Sequence, residues 1–393
     1  MPCVCFYFEV HQPFRLNRFS VFHIGEQIDP FETYFNHKLN KEVFERAARK
    51  CYLPATQLFL DISDELGKDF KVSFSLTGTF MEHCDAFAPQ VLDNFKELFR
   101  RGNADLIGET YYHSLCSLFD DLSEFRDQVN LHIKTLMERF GCRPKVFRNT
   151  EAIFDNRIAK EVEKMGFKGI ITEGTERVLG WRSPNYLYRA KDTNLKVLLR
   201  NYRLSDDIAF RFSARDWVGF PLTADKFASW IASCEGQVVN IFMDFETFGE
   251  HQWPETGIFE FLRHLPAEIL RFENNRFVTV SEVVDMFEPV GEIDVPFAIS
   301  WADTERDVST WLGNDMQIAC FNELKELGRK IKEKGDERLL KIWRLLQTSD
   351  HLYYLSTKGF ADGDVHKYFN PYSTPYEGFI NYMNILQDLK QRV

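Results

Sequence analysis

Residues 238–251 read VVNIFMDFETFGEH. The first half is an unbroken run of Val, Ile, Phe and Met with one Asn, the pattern of a strand covered on both faces of a parallel sheet. The second half gathers Asp244, Glu246, Glu250 and His251 where that strand would stop. In parallel α/β barrels the loops and side chains at the carboxyl ends of the strands converge on one mouth, and chemistry is done there. The stretch therefore predicts a barrel strand with functional acids at its end. Alternation along the strand would point Asp244 and Glu246 to the same side.

Working outward, similar short apolar runs lie at 4–10, 72–76, 104–108, 145–150, 169–172 and 196–201, which with 238–245 makes seven strands. Amphipathic segments with apolar residues three and four apart separate them, at 41–66, 88–101, 123–140, 156–165 and 224–233. Strand and helix in alternation predict βα units around a parallel sheet. A further helix near 255–272 and an apolar run at 277–280 would follow the seventh strand. Past 289 the pattern becomes helical, over 315–333, 336–346 and 377–389. The expectation is a catalytic barrel over 1–288 and a helical region over 289–393 that contributes to the cleft. The connections 173–195 and 202–222 are long for a compact domain, and loops of that length tend to be functional. Their Trp181, Tyr186, Tyr188, Asp206, Asp207 and Trp217 suit a wall around a polar ligand.

Composition limits the partners. The chain has 393 residues, 44% hydrophobic and 27% charged, with a net charge of −11 and 38 Phe. No basic stripe is present to neutralise phosphates or anionic lipid, so nucleic acid and membrane surfaces are not expected as partners. Apolar runs of ~18 residues are missing, so no membrane span is expected. The first residues, MPCVCFYFEVHQP, lack the basic segment and cleavage site of a secretion signal. Eight scattered cysteines, with Cys3 and Cys5 as a lone C-x-C, read as reduced thiols in a cytoplasmic protein.

By this assignment Glu151 ends the fourth strand and Asp244 the seventh, while Glu9 and His11 share a face at the end of the first. Two carboxylates flanking a small cavity are what glycosidic bond cleavage requires: one protonates the leaving oxygen, the other attacks, and a retaining enzyme holds them ~5–5.5 Å apart. Each acid alone also fits a plainer role as loop residue, helix cap or half of an ion pair. Glu109 and His113, four apart, would pair if helical.

Seven stretches carry a resemblance: HQP at 11–13, GNADLIGETYYHSL at 102–115, VFRNTE at 146–151, MDFETFGEH at 243–251, WADTERDVSTWLGNDMQ at 301–317, LQTSDHLYYL at 346–355 and DGDVHKYFNPYSTPYEGF at 362–379. On these the chain resembles glycoside hydrolase family 57, most of all its intracellular α-amylase-like members. The resemblance implies an incomplete seven-stranded (β/α)7 barrel followed by a C-terminal α-helical region. It also implies retaining cleavage of α-glucans or maltooligosaccharides, with Glu151 as nucleophile and Asp244 as acid/base, and neither cofactor nor metal. His11, Glu246 and Asp350 match sugar-contacting positions, and Trp301 lies in a stretch that closes over the substrate. His251, Trp253, Trp301 and Trp311 are further candidates for sugar hydroxyls and faces, and Arg148 for holding the charge of Glu151. Asp105 stands where the family pattern usually has Glu, and is expected to reach the sugar with a shorter arm. Glu9 stands where many members have His, adding negative charge beside the site.

Hydrolysis and 4-α-glucanotransfer share this chemistry and differ in which acceptor reaches the intermediate. Two other readings stay open. A metal-dependent polysaccharide deacetylase or mannosidase-like barrel would use His11, His113 and His251, although none of the three sits in an H-x-x-x-H or H-x-D pattern. A non-catalytic glucan-binding protein would need aromatics but no proton donor.

Overall fold

Apolar runs too short to shield themselves pair side by side, and the helices between them return the chain so that the pairs run parallel. In the computed structural model, which describes residues 2–358 and 370–393, the strands are β1 (Cys3–Val10), β2 (Val72–Leu76), β3 (Ala104–Gly108), β4 (Val146–Arg148), β5 (Gly169–Glu173), β6 (Tyr188–Ala190), β7 (Lys196–Arg200), β8 (Val238–Asp244) and β9 (Glu292–Ile293). They form one sheet in the order β8-β1-β2-β3-β4-β5-β7-β6-β9. The seven strands expected from sequence are its parallel run from β8 to β7. The other two extend one edge: β6 antiparallel to β7, and β9 beside β6. At three and two residues, neither is long enough to show a period in the sequence.

The sheet curls into an incomplete (β/α)7 barrel. β7 and β8 are not laddered to each other. Single bonds bridge their seam: Asn201 N–H to the Asn240 carbonyl at 2.9 Å, the Asn240 amide to the Leu199 carbonyl at 3.1 Å, and Arg200 Nε to the Phe242 carbonyl at 2.8 Å. Inside the barrel, Cys5, Tyr7, Ile107, Val146, Ile171, Leu198 and Phe242 pack with Val280, Val283 and Val284. Val278 N–H donates to the Val4 carbonyl, so this second group closes the end where β1 begins. On the outside Phe6, Phe8, Phe59, Phe74, Phe95 and Phe245 form the layer between sheet and helices, which is where much of the phenylalanine goes.

The C-terminal helices Asp315–Lys334, Glu337–Leu346 and Pro375–Gln391 lie close to the expected limits. Their buried Leu324, Ile342, Leu346 and Ile385 share a core with Phe147, Ile170 and Val197 of the sheet. Each such side chain contributes roughly 1.5–3 kcal/mol on burial, so these helices hold firmly to the barrel flank. Of the seven stretches quoted above, part of the last, 362–369, lies outside the described residues.

The helix expected over 41–66 is two helices, His37–Ala47 and Leu53–Leu66, joined by a π-helical turn, Ala48–Tyr52. Pro54 has no N–H to return to the Lys50 carbonyl, so the regular ladder cannot pass through. A widened turn is a common answer and often marks a functional position. Gly249 packs on that same carbonyl, where an added Cβ would meet it at 2.0 Å.

Candidate active site

Strand register builds the site from below. Glu9 is the partner of Asp244 on β8 and of Ser75 on β2, so three polar side chains sit level at the carboxyl ends of adjacent strands. Above this layer opens a cavity of about 350 Å³, lined among others by Glu9, His11, His113, Glu151, Asp244, Glu246, His251, Trp301 and Asp350.

Glu151 reaches the cavity by a turn instead of a strand end. β4 stops at Arg148, and the chain passes through a short 3-10 turn in which Glu151 has φ 56° and Ala152 φ 52°. Left-handed backbone at a residue with a Cβ costs roughly 1–2 kcal/mol and persists only where its surroundings impose it. Here Thr172 Oγ1 donates to the Ala152 carbonyl at 2.9 Å, Asn149 Nδ2 to Ile153 O at 3.0 Å, and Trp301 N–H to the Glu151 carbonyl at 3.3 Å. The carboxylate of Glu151 accepts from Trp301 Nε1 at 2.8 Å and Ser349 Oγ at 2.9 Å, with His113 Nε2 at 3.4 Å.

His113 has carboxylates on both sides. Its Nδ1 lies 3.0 Å from Glu9 and 3.4 Å from Glu109, opposite the nitrogen that meets Glu151. Burial works against its charge, but those acids outweigh burial and raise its pKa well above the usual value. Burial likewise works to raise the pKa of Glu151, and the bonds from His113 and Trp301 reverse it, holding the carboxyl below its ordinary range. Asp244 has the opposite environment: burial first, then the nearby charge of Glu151, push it up to about 7. Two carboxyls on one cavity are thus driven apart in proton affinity, the condition for distinct acid and base roles.

The structure brings most of the expected site residues together and sets others aside. His11 lines the cavity, its Nε2 3.1 Å from Asp350 and its Nδ1 3.0 Å from Thr77 Oγ1. Glu246 also lines it, though by a 3-10 turn at Phe245–Thr247 and not by strand alternation. Trp311 lines it with its indole N–H buried and unpartnered. Arg148 is a correction: it forms an ion pair with Glu9 beneath the cavity and lies 5.2 Å from the Phe242 ring, so its charge neutralises Glu9 and not Glu151. Asp105 is another. Its β3 register pairs it with Ser73, in the row below Glu9, about 7 Å down the strand, and its carboxylate accepts from Ser281 N at 3.0 Å. It braces the first turn of helix Val280–Met286. Asp105→Ala is expected to lower stability by about 1 kcal/mol in urea unfolding while leaving the cavity intact. Trp253 is 56% exposed and off the cavity lining, with Lys50 Nζ 5.9 Å from its ring.

Of the long connections, 202–222 supplies Asp206 and Phe210 to the lining, whereas Trp181 stands 95% exposed away from it. Arg200 bonds Glu173 and Asp206 at 3.0 and 2.5 Å, and Arg306 reaches the same two acids at 3.2 and 3.5 Å. Arg200, Asp206 and Arg306 of this network, with Tyr353 and Tyr354, complete the lining; of these Asp206 was expected in such a wall and the others were not foreseen. Tyr353, Tyr354 and Ser349 fall in the stretch 346–355 and Arg306 in 301–317, which was the available signal.

The histidines separated in sequence are neighbours in space: the rings of His11 and His113 stack with centroids 4.1 Å apart. Stacked rings do not aim nitrogens at a shared ion. Among the described residues the group whose ligand atoms lie close enough to converge on a cation is Glu9, Glu109 and His113, all within 4.8 Å. Arg148 already brings positive charge to Glu9 at that point.

The model for glycosyl hydrolase family 57 matches residues 5–296. A protein of Methanocaldococcus jannaschii that bears the provisional name alpha-amylase is 55% identical over 397 residues, covering 98% of this chain and 84% of its own. The 4-alpha-glucanotransferase of Thermococcus litoralis is 23% identical over 75% of this chain, though over only 42% of its own length. Among solved structures, the GH57-type branching enzyme of Pyrococcus horikoshii superposes with a TM-score of 0.71 at 16% identity, covering 93% of this chain and 87% of that one. The barrel seen here is therefore the barrel of that group. The chain belongs to glycosyl hydrolase family 57 and is a glycoside hydrolase, α-amylase-like by the names of its relatives. Among the described residues no helix is long and apolar enough to cross a membrane.

Proposed function

We propose that the protein cleaves α-1,4-glucosidic bonds in glucans or maltooligosaccharides with retention, Glu151 acting as nucleophile and Asp244 as acid/base. The observation that supports this best is two carboxyls on one cavity in opposed surroundings: Glu151 accepts from Trp301 and Ser349 beside His113, which favours its ionised form, while burial and the charge of Glu151 push Asp244 up to about 7. Asp244 protonates the departing glycosidic oxygen while Glu151 forms the covalent bond to the sugar. Asp244, now a carboxylate, then takes a proton from the incoming water or sugar hydroxyl. His11, Glu246, His251 and Asp350 meet sugar hydroxyls and Trp301 presents aromatic surface to the ring, whereas Trp311, 1% exposed, presents almost none.

The test is proton NMR of the first product formed from maltoheptaose. The α-anomer must appear before mutarotation; an initial β-anomer overturns the retaining scheme. Products longer than maltoheptaose would identify glucanotransfer as the main reaction. Trp301→Phe keeps the stack on Phe242, now at 4.8 Å, and removes one donor to Glu151. Its kcat/KM is expected to fall roughly 10-fold, the scale of one bond to a charged group.

A further inference from the structure

Glu246 is bonded to Tyr52, which lies off the cavity lining, and through it to Gln12 and Arg15, which line the cavity but which the reaction scheme does not use. Arg15 Nη2 donates to Gln12 Oε1 at 3.0 Å, Gln12 Nε2 donates to the Tyr52 hydroxyl at 2.9 Å, and that hydroxyl donates to Glu246 Oε1. All four side chains are buried, Tyr52 completely. The direction of this chain follows from its first member. A guanidinium has donors only, so the Gln12 oxygen must face Arg15 and the Gln12 nitrogen must face Tyr52. The hydroxyl of Tyr52, already accepting, has its own hydrogen left for Glu246.

Tyr52 stands where it does because of the π turn. It is the last residue of Ala48–Tyr52, the segment where Pro54 breaks the regular ladder. In the same turn Cys51 Sγ donates to the Phe245 carbonyl at 3.2 Å, and Gly249 sits against the Lys50 carbonyl. The turn is thus docked on both flanks of Glu246, on the loop that follows Asp244.

We propose that Tyr52 is a positioning residue: the Arg15–Gln12–Tyr52 relay fixes Glu246 Oε1 as the acceptor and turns Oε2 to the cavity as the oxygen that meets a substrate hydroxyl. Any proton Glu246 carries then resides on Oε2, where it is a donor to that hydroxyl. The inference rests on the reading above that Glu246 contacts sugar.

The experiment is a double-mutant cycle on kcat/KM for maltoheptaose. Tyr52→Phe deletes one oxygen and keeps the ring, which packs edge-on against Phe80 at 5.1 Å. The expected loss is roughly 10- to 100-fold, the scale of a bond to a charged group. In a Glu246→Ala background, which leaves no acceptor for the hydroxyl, the same change should cost far less, because the pair acts as a unit. Gln12→Glu supplies a second route without loss of volume. Its carboxylate accepts the Tyr52 hydrogen and draws it from Glu246, so kcat/KM falls in the native background but not further once Tyr52 is Phe. A purely structural role for Gln12 would be blind to that reversal of polarity. Full additivity of Tyr52→Phe with Glu246→Ala overturns the relay and leaves Glu246 at the substrate. Wild-type kcat/KM in Glu246→Ala overturns the relay together with the placement of sugar against Glu246.

Discussion

Glu151→Gln is expected to lower kcat/KM for maltoheptaose by at least ~10³-fold, the order lost when a covalent nucleophile is removed. The amide is nearly isosteric: its oxygen can face the Trp301 indole N–H and its nitrogen can donate to the Ser349 hydroxyl, so the loss reports nucleophilicity and not a collapsed cavity. Stability should fall as well. A carboxyl whose folded pKa is depressed contributes stability that is present above its unfolded value and lost as pH falls through the folded one. Glu151 is such a group. The variant should therefore melt below the wild type at pH 7, with the gap closing in acid. Turnover within tenfold of wild type would remove Glu151 from the nucleophile's place.

Asp244→Asn should also cost ~10²–10⁴-fold on maltoheptaose, the usual contribution of a positioned proton donor. A substrate whose leaving group departs as a stable anion, such as a maltosyl fluoride, needs no proton in the first step and should recover most of the lost glycosylation rate. In the wild type, kcat/KM should fall above pH 7 as Asp244 loses the proton that burial and Glu151 hold there to about 7. The asparagine variant should lack that limb. Its stability should move opposite to that of Glu151→Gln. A raised carboxyl weakens the fold as pH climbs from the unfolded value to the folded one, and asparagine has no such penalty. Asp244→Asn should thus melt above wild type at pH 8, with the difference shrinking towards pH 4. Equal loss of activity with opposite shifts in melting temperature would be hard to obtain from any pair of residues not sharing this division of labour.

Much of this was legible in the chain. The seven barrel strands show because parallel strands covered on both sides are continuous apolar runs, as in CVCFYFEV at Cys3–Val10. The acids after β8 show because a strand end is where chemistry gathers. What stayed hidden depends on backbone angles and register. Glu151 was read as the end of a strand, but β4 stops at Arg148 and a left-handed turn aims the carboxylate. For the same reason alternation could not assign Arg148, which points to Glu9. Asp105 was expected to reach the sugar because it stands where the family pattern usually has Glu, yet β3 places it one layer too deep. His113, read as a simple partner of Glu109, touches Glu9 and Glu151 as well, because three strand ends meet where it turns with φ 50°. In the Arg200 and Arg306 network Arg306 reaches Glu173 across 133 positions, and the stretch 301–317 marks Arg306 without marking that pairing.

The donors to Glu151 lie late in the chain: Trp301 and Ser349 are separated from it by 150 and 198 positions. During synthesis the barrel strands through β8 leave the ribosome first, with Glu151 still lacking both. On the scheme proposed above, a nascent chain lacks both of these bonds until residues 301 and 349 have emerged and docked, so the nucleophile's surroundings are completed only late in synthesis.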